Sequence, residues 1–422
     1  VLGSAGYFTA MSGKWHLSKQ PTDFGFQRYW GHLSGATNFF TGDNTFRLNG
    51  EKWDVPKTLN SRPFYTTHAI TDFALDFLDE ATTHKAHKEK PFLLYLAYNA
   101  PHYPLHAPEA DVKRYDGLYD VGWDKLRRTR HRKQLKSGLL PAKFKLSPRA
   151  PHVPAWDSLP DSEKQWEADR MEAFAAMIDL VDQNIGRLVE YLKKKDLFDN
   201  TLILFCADNG GCPFERTRGR YLKPWDPNSY WTYDASWAQA SNTPFRLYKQ
   251  NQHEGGISSP LVVHWPAGLK TDKGAITRQP GHLVDFMATF LDIAGAKYPR
   301  TVGERKIDPL VGKSLVPIFQ GKERAPHDPL YFHFGTDRAL RSGPWKLVSA
   351  KLGRWELYNL DEDRTELNDL SKKHPDRVRA MAKEWFRIAK DVERLKGKNV
   401  KPVKTTLSEL NFRKDTSRQK SQ

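Results

Sequence analysis

Only two of the 422 residues are cysteine, Cys206 and Cys212, which excludes a disulfide framework and a cysteine-only zinc site. No run approaches eighteen consecutive apolar residues, so the sequence offers no membrane-spanning helix. Neither an internal repeat nor a low-complexity tract breaks the chain. Acidic residues are missing from Lys125 to Arg149, a window with ten Lys and Arg, and only two acids accompany eight Lys and Arg between Leu395 and Gln422. These two windows hold the whole net charge of +16. They also lack aromatic residues apart from Phe144 and Phe412, so the charge is not interleaved with the stacking rings a nucleic-acid surface uses. Nucleic acid is therefore not the expected partner. A solvated basic helix with a frayed tail is one reading of the windows, and a surface for sulfated polyanions is the other.

What is present is enough to fold. The chain is 39% hydrophobic and 12% aromatic, a composition that buries a core and fits one large domain or two ordinary ones. Helical spacing of Phe73, Ala74, Phe77 and Leu78 runs from Thr71 to Asp79. The apolar run Phe92 to Tyr98 has strand length and suits a strand buried on both faces of a parallel sheet. From Asp161 to Lys195 apolar residues, including Phe174, Met177, Ile178, Val181 and Ile185, recur every three or four positions. Three lysines, Lys193 to Lys195, close that helix where positive charge suits its dipole. Thr201 to Ala207 and Pro260 to Pro266 read as two more buried strands, and His282 to Gly295 as a helix.

After Leu330 the grammar changes. Leu330–Phe334, Arg338–Arg341, Trp345–Val348 and Trp355–Leu360 read as an antiparallel meander. A final helix places Val378, Met381, Trp385, Ile388 and Val392 on one face. The expected organisation is a large α/β unit over residues 1–325, a small α+β subdomain over 326–394 and a basic tail over 395–422.

Four segments carry candidate chemistry. Asp208-Asn209-Gly210-Gly211 directly follows a strand, the end of an α/β sheet where ligands bind. The Asp208 carboxylate and the Asn209 amide oxygen are hard donors for Ca²⁺ or Mg²⁺, and Asn-Gly is equally a turn signal. In Gly13-Lys14-Trp15-His16-Leu17, Lys14 and His16 point the same way if the segment is extended. That arrangement suits an oxyanion grip beside a neutral imidazole, while a surface lysine next to a packed histidine explains the pair as well. Asn99-Ala100-Pro101-His102-Tyr103-Pro104 holds a histidine between two prolines, a stiff mount for a proton donor. His106 lies close by, and the chemistry does not separate the two histidines. Lys249-Gln250-Asn251-Gln252-His253-Glu254-Gly255-Gly256 offers a second oxyanion clamp in Lys249, or a polar loop ahead of a strand.

Taken together and in order, Gly13-Lys14-Trp15-His16-Leu17, Ala100-Pro101-His102, Asp208-Asn209-Gly210 and Glu254-Gly255-Gly256-Ile257 resemble the sulfatase family, and within it arylsulfatases of the alkaline-phosphatase-like superfamily. Ser241 to Lys249, Gly122-Trp123-Asp124 and Trp355 to Leu360 are similar to the same group, so the resemblance spans Gly6 to about residue 390. It implies an alkaline-phosphatase-like mixed sheet between helices, with a small C-terminal subdomain. It also implies hydrolysis of a sulfate monoester, carried by a small molecule or a glycan, to an alcohol or phenol plus sulfate. Asp208 and Asn209 would be two ligands of a Ca²⁺ ion, with Mg²⁺ second. Lys14 and Lys249 would hold sulfate oxygens, His102 would protonate the leaving group, and His16 would assist release of sulfate. Gln250 and His253 would stand behind them.

The family's nucleophile is a formylglycine made from Cys or Ser in a Cys-x-Pro-Ser-Arg type motif, which lies ahead of the Gly-Lys-Trp-His segment together with a pair of Asp ligands. This chain starts thirteen residues before Lys14. Cys206 reads as a core residue, and Cys212 has Phe214 where Pro or Ala is expected. The expectation is thus a sulfatase lacking its N-terminal part and inactive alone, whose whole form meets a formylglycine-generating or sulfatase-maturing enzyme in a periplasmic or secreted setting. The alternatives are a phosphate or phosphonate monoester hydrolase on the same fold, and a non-catalytic binder of sulfated polyanions.

Overall fold

The computed structural model describes residues 1–393, so the basic tail expected from residue 395 lies outside the described residues. The central feature is a five-stranded mixed sheet of β1 (Phe8–Gly13), β2 (Arg28–His32), β3 (Phe46–Leu48), β4 (Glu51–Lys52) and β5 (Phe92–Ala97), in the order β4-β3-β2-β1-β5. β1 is buried throughout and runs parallel to both β2 and β5. Helix α1 (Thr66–Thr83) covers the sheet because Ala69, Ile70, Ala74, Phe77, Leu78 and Ala81 fall on one side of it. The Trp30 ring of β2 stacks on Phe73 of α1 at 4.4 Å. Inside this layer the Asp72 carboxylate is held by Arg62 and by Arg187 of a second helix, each at 2.6 Å.

That second helix is α3 (Asp161–Lys194), preceded in the chain by the basic helix α2 (Gly122–Lys136) and followed by α4 (Asp234–Ser241). The three meet in a second core, where Trp123 packs edge-on against Trp156 at 4.8 Å and Trp237 at 5.4 Å. The expected basic face is only partly solvated. Arg127 is buried and donates to Ser147, and Arg130 donates to the Ala240 carbonyl at 3.0 Å.

The reading of three fully buried strands needs correction. β5 is half-buried, and β6 (Ile203–Cys206) and β7 (Leu261–His264) pair antiparallel with each other as a separate two-stranded sheet. Tyr95 on β5 is 49% exposed and Phe205 on β6 is 53% exposed. Cys206 is likewise half-buried and joins no core cluster. An apolar run reports that a segment can be covered on both faces; which strands stand beside it is a tertiary fact that the run does not carry. Ile178 of α3, expected on the core face, is also exposed.

The C-terminal part forms as the sequence indicates. β8 (Leu330–Phe334), β9 (Asp337–Ser342), β10 (Trp345–Ser349) and β11 (Glu356–Asn359) make an antiparallel meander. Helix α5 (Pro375–Val392) lays Val378, Met381, Ala382 and Trp385 on it, while Val392 is exposed. The meander is bolted to the larger unit by Lys346, whose buried ammonium lies 2.8 Å from Glu254 and 2.9 Å from Glu366.

Candidate active site

Lys14 emerges from the seam between β1 and β5. Its backbone N–H donates to the Ala97 carbonyl at 2.9 Å. Gly13 makes this exit possible, because its φ is +118° and a Cβ there would lie 2.0 Å from the Ala97 oxygen. The segment then turns instead of running on extended: His16 has φ of 59°. Its imidazole packs over Gly35, where a Cβ would stand 2.4 Å from Nε2. Lys14 and His16 are therefore brought together by a turn, and not by strand alternation.

The loop after β5 separates the two histidines that the sequence left equivalent. His106 is fully buried, with Nε2 2.8 Å from the Ser229 carbonyl and Nδ1 accepting from the Phe39 N–H. Both ring nitrogens serve the backbone, so His106 is a structural clamp in its neutral form. His102 is only partly buried, and its Nδ1–H donates to the Tyr103 carbonyl at 2.8 Å, leaving Nε2 without a hydrogen-bond partner among the described residues. That free nitrogen is the one available for proton transfer.

At the end of β6, the Asp208–Gly211 turn is knitted to two distant segments by backbone bonds. The Gly210 N–H donates to the Gly256 carbonyl at 3.0 Å, and the Lys249 N–H donates to the Gly211 carbonyl at 3.0 Å. A Cβ at Gly210 would lie 1.8 Å from the Gly255 oxygen, so only glycine permits the approach. Asn242 ties the arrangement, with Oδ1 accepting from the Gly211 N–H and Nδ2 donating to the Leu247 carbonyl, both at 3.0 Å. Sequence reasoning gave Asn242 no role, since an amide acting across thirty-one residues has no local signature. Asn99 was also missed. It is buried, and neither polar atom of its side-chain amide has a partner among the described residues, which marks a polar interior at the end of β5.

The charges of these segments act on one another. Burial lowers the Lys14 pKa first, Asp208 opposes that and Lys249 reinforces it. Burial and then Lys14 push His102 down to about 4, with Lys249 lowering it further and Asp208 raising it. His16 is lowered by burial, Lys14 and Lys249. Lys14, His16, His102, Asp208 and Lys249 thus share one electrostatic field, with cationic lysines beside neutral imidazoles. Such a cluster grips an oxyanion and keeps a proton carrier next to it. His253 is placed elsewhere: it is buried and bonds Glu356 of β11 at 3.2 Å. Gln250 is exposed, with φ of 78°.

Asp208 and Asn209 offer hard oxygen donors. Asn209 Nδ2 donates to the Gly210 carbonyl at 2.8 Å, and its Oδ1 has no hydrogen-bond partner among the described residues. Among the described residues no group of three or more His, Cys, Asp or Glu converges to hold a metal. The pair fits part of the shell of an ion that takes six to eight oxygens.

The sulfatase family model matches residues 1–296, and a model of the C-terminal part of N-sulphoglucosamine sulphohydrolase matches residues 245–391. An uncharacterized sulfatase of Schizosaccharomyces pombe is 32% identical, over 92% of this chain and 75% of its own. An arylsulfatase of Klebsiella aerogenes is 29% identical, over 76% of this chain and 72% of its own. Among solved structures, Ps i-CgsB in complex with k-i-k-neocarrahexaose superposes with a TM-score of 0.65 and 26% identity, covering 92% of this chain and 73% of that one.

Proposed function

Because the chain belongs to the sulfatase family, whose reaction is sulfuric ester hydrolysis, we propose that its cluster binds and cleaves the sulfate monoester of a carbohydrate. The observation that carries this reading is the convergence of Lys14, Lys249, His102, His16 and Asp208 in a single field. Support for a carbohydrate comes from the oligosaccharide bound by Ps i-CgsB.

Lys14 and Lys249 take the non-bridging sulfate oxygens, where their charge meets the charge that grows as the S–O bond breaks. Empty, the site keeps His102 neutral, since burial and Lys14 hold its pKa at about 4. An anionic ester lying between the two lysines offsets their charge and raises that pKa. With Nδ1–H pinned to Tyr103, the proton gained sits on Nε2. It passes to the leaving oxygen as the alcohol departs, a transfer worth roughly 10²- to 10⁴-fold in rate. His16, which also lies in the field of Lys14, assists release of sulfate. Asp208 and Asn209 would hold Ca²⁺, which when bound would supply charge compensation for the sulfate, and a formylglycine would supply the attacking oxygen. No Cys-x-Pro-Ser-Arg motif occurs among these 422 residues.

Titration with inorganic sulfate tests the reading. The expected result is that sulfate raises the His102 pKa, followed by NMR of its imidazole, and that Lys14→Ala weakens sulfate binding. A His102 pKa indifferent to sulfate would sink the acid role. On the enzyme carrying its nucleophile, His102→Ala slows poor leaving groups much more than good ones.

A further inference from the structure

Beyond Gly211 the chain runs to Arg218, which forms an isolated bridge with Tyr230. Glu215, half-exposed, pairs with Arg170, which is buried on α3, and Thr217 lies 3.2 Å from the Thr232 hydroxyl. Arg216 and Arg218 are exposed. Each guanidinium lies over an aromatic ring. The Arg216 guanidinium lies 4.5 Å from the Phe214 ring and donates to Tyr103 Oη at 2.8 Å. Arg218 lies 4.4 Å from the Tyr230 ring, and the two residues exchange backbone hydrogen bonds of 2.8 and 3.0 Å. The Tyr103 ring in turn is 4.1 Å from His102 and 5.8 Å from Tyr230. A continuous line of rings and guanidinium groups therefore leads outward from the proton donor.

Arginines on this stretch that serve only the fold find carboxylates. Arg220 pairs with Glu163 at 2.9 Å, and its neighbour Lys223 reaches Asp169 at 3.8 Å. Arg216 and Arg218 have no carboxylate partner among the described residues. Stacking immobilises a guanidinium while leaving N–H edges for a planar-faced anion. Two residues apart, the pair is spaced by roughly 6.6 Å of backbone rise, a scale suited to neighbouring charged groups on a chain molecule. Past Arg220 the loop borders an open surface cavity of about 530 Å³ lined by Tyr221, Lys223 and Trp225, among others, with aromatic surfaces of the kind that sugar faces stack on.

We propose that Arg216 and Arg218 form a second anion subsite, which holds further sulfate groups of a polysulfated oligosaccharide whose scissile sulfate sits between Lys14 and Lys249. The inference rests on the sulfatase reading for the position of the scissile group. It makes the substrate a chain with several sulfates, extended along the 212–230 segment toward the Trp225 cavity. A nucleic acid is disfavoured, because Phe214, Tyr103 and Tyr230 already carry guanidinium groups or one another on their faces.

The test compares affinities of the full chain for glucosamine 6-sulfate and for a heparin tetrasaccharide, measured by calorimetry at two salt concentrations. The tetrasaccharide should bind at least about tenfold tighter, the value of one good charge-assisted contact. In R216Q/R218Q that ratio should collapse toward one, with the melting temperature preserved. K125Q/K133Q removes the same charge from the exposed side of α2 and should keep the ratio. A ratio near one in the unmodified chain, equal losses in both double variants, or tighter binding of a single-stranded oligonucleotide of matched charge would overturn the proposal. Loss of the ratio in R216Q/R218Q while Lys14→Ala leaves glucosamine 6-sulfate binding unchanged would keep the subsite and overturn the catalytic assignment instead.

Discussion

His106 offers a prediction whose size follows from its two hydrogen bonds. Because Nε2 donates to the Ser229 carbonyl and Nδ1 accepts from Phe39, the folded chain has no room for a second proton on the ring. Burial accordingly lowers its pKa to about 4, against 6.5 in an exposed chain. A histidine depressed in this way takes up its proton more readily when unfolded. Its contribution to stability is complete above the unfolded value and is lost as the pH falls from 6.5 toward 4. Between pH 8 and pH 5 the loss is about 2 kcal/mol for this one residue. His106→Gln keeps a donor for Ser229 and removes the titration. The variant will start less stable, since the Phe39 bond and some packing go, but that cost does not depend on pH. Urea unfolding followed by tryptophan fluorescence at pH 8, 6.5 and 5 gives the required difference of differences. The unmodified chain should lose about 2 kcal/mol more than the variant across the range. Parallel stability curves would refute the neutral-clamp assignment.

Other outcomes are as specific. Lys14→Met should raise the His102 pKa from about 4 by on the order of one unit, because the second-largest depressing cause is removed while burial remains; NMR titration of the imidazole reads it, and an unchanged value would mean that the two groups do not share a field. Lys346→Met should cost about 3–5 kcal/mol in chemical denaturation, since it leaves Glu366 buried without its cation and Glu254 with Arg364 alone. Burial alone would push the Glu254 pKa up; Lys346 and Arg364 overcome that and hold it at about 2. The Lys346→Met variant should therefore regain part of its deficit as the pH is lowered, and a deficit independent of pH would count against the network.

Legibility differed between fold and site for identifiable reasons. The long helix, the C-terminal meander and the final amphipathic helix were readable because each is specified by periodicity within its own residues. The open faces of β5, β6 and β7 were not, because apolar content states what a strand tolerates and not which neighbours it has. In the site, the segments of Lys14, His102, Asp208 and Lys249 each had a plain structural reading as well, and it was their order along the chain that gathered them. The division of labour between His102 and His106 depended on which backbone groups each ring reaches, and Ser229 is 123 positions away. Asn242 and Asn99 act through single amide contacts or unpaired amides, and neither leaves a pattern in one sequence.

The bolt between Glu254 and Lys346 also sets a clock. Their 92-residue separation means that a ribosome adding ~5–20 residues per second needs roughly 5–20 s to deliver the ammonium after the carboxylate has emerged. Throughout that interval the Gly255-Gly256 turn, against which the Asp208 loop must close, adjoins a carboxylate that cannot be buried. The unit that carries Glu254 therefore waits, unfinished, for the meander.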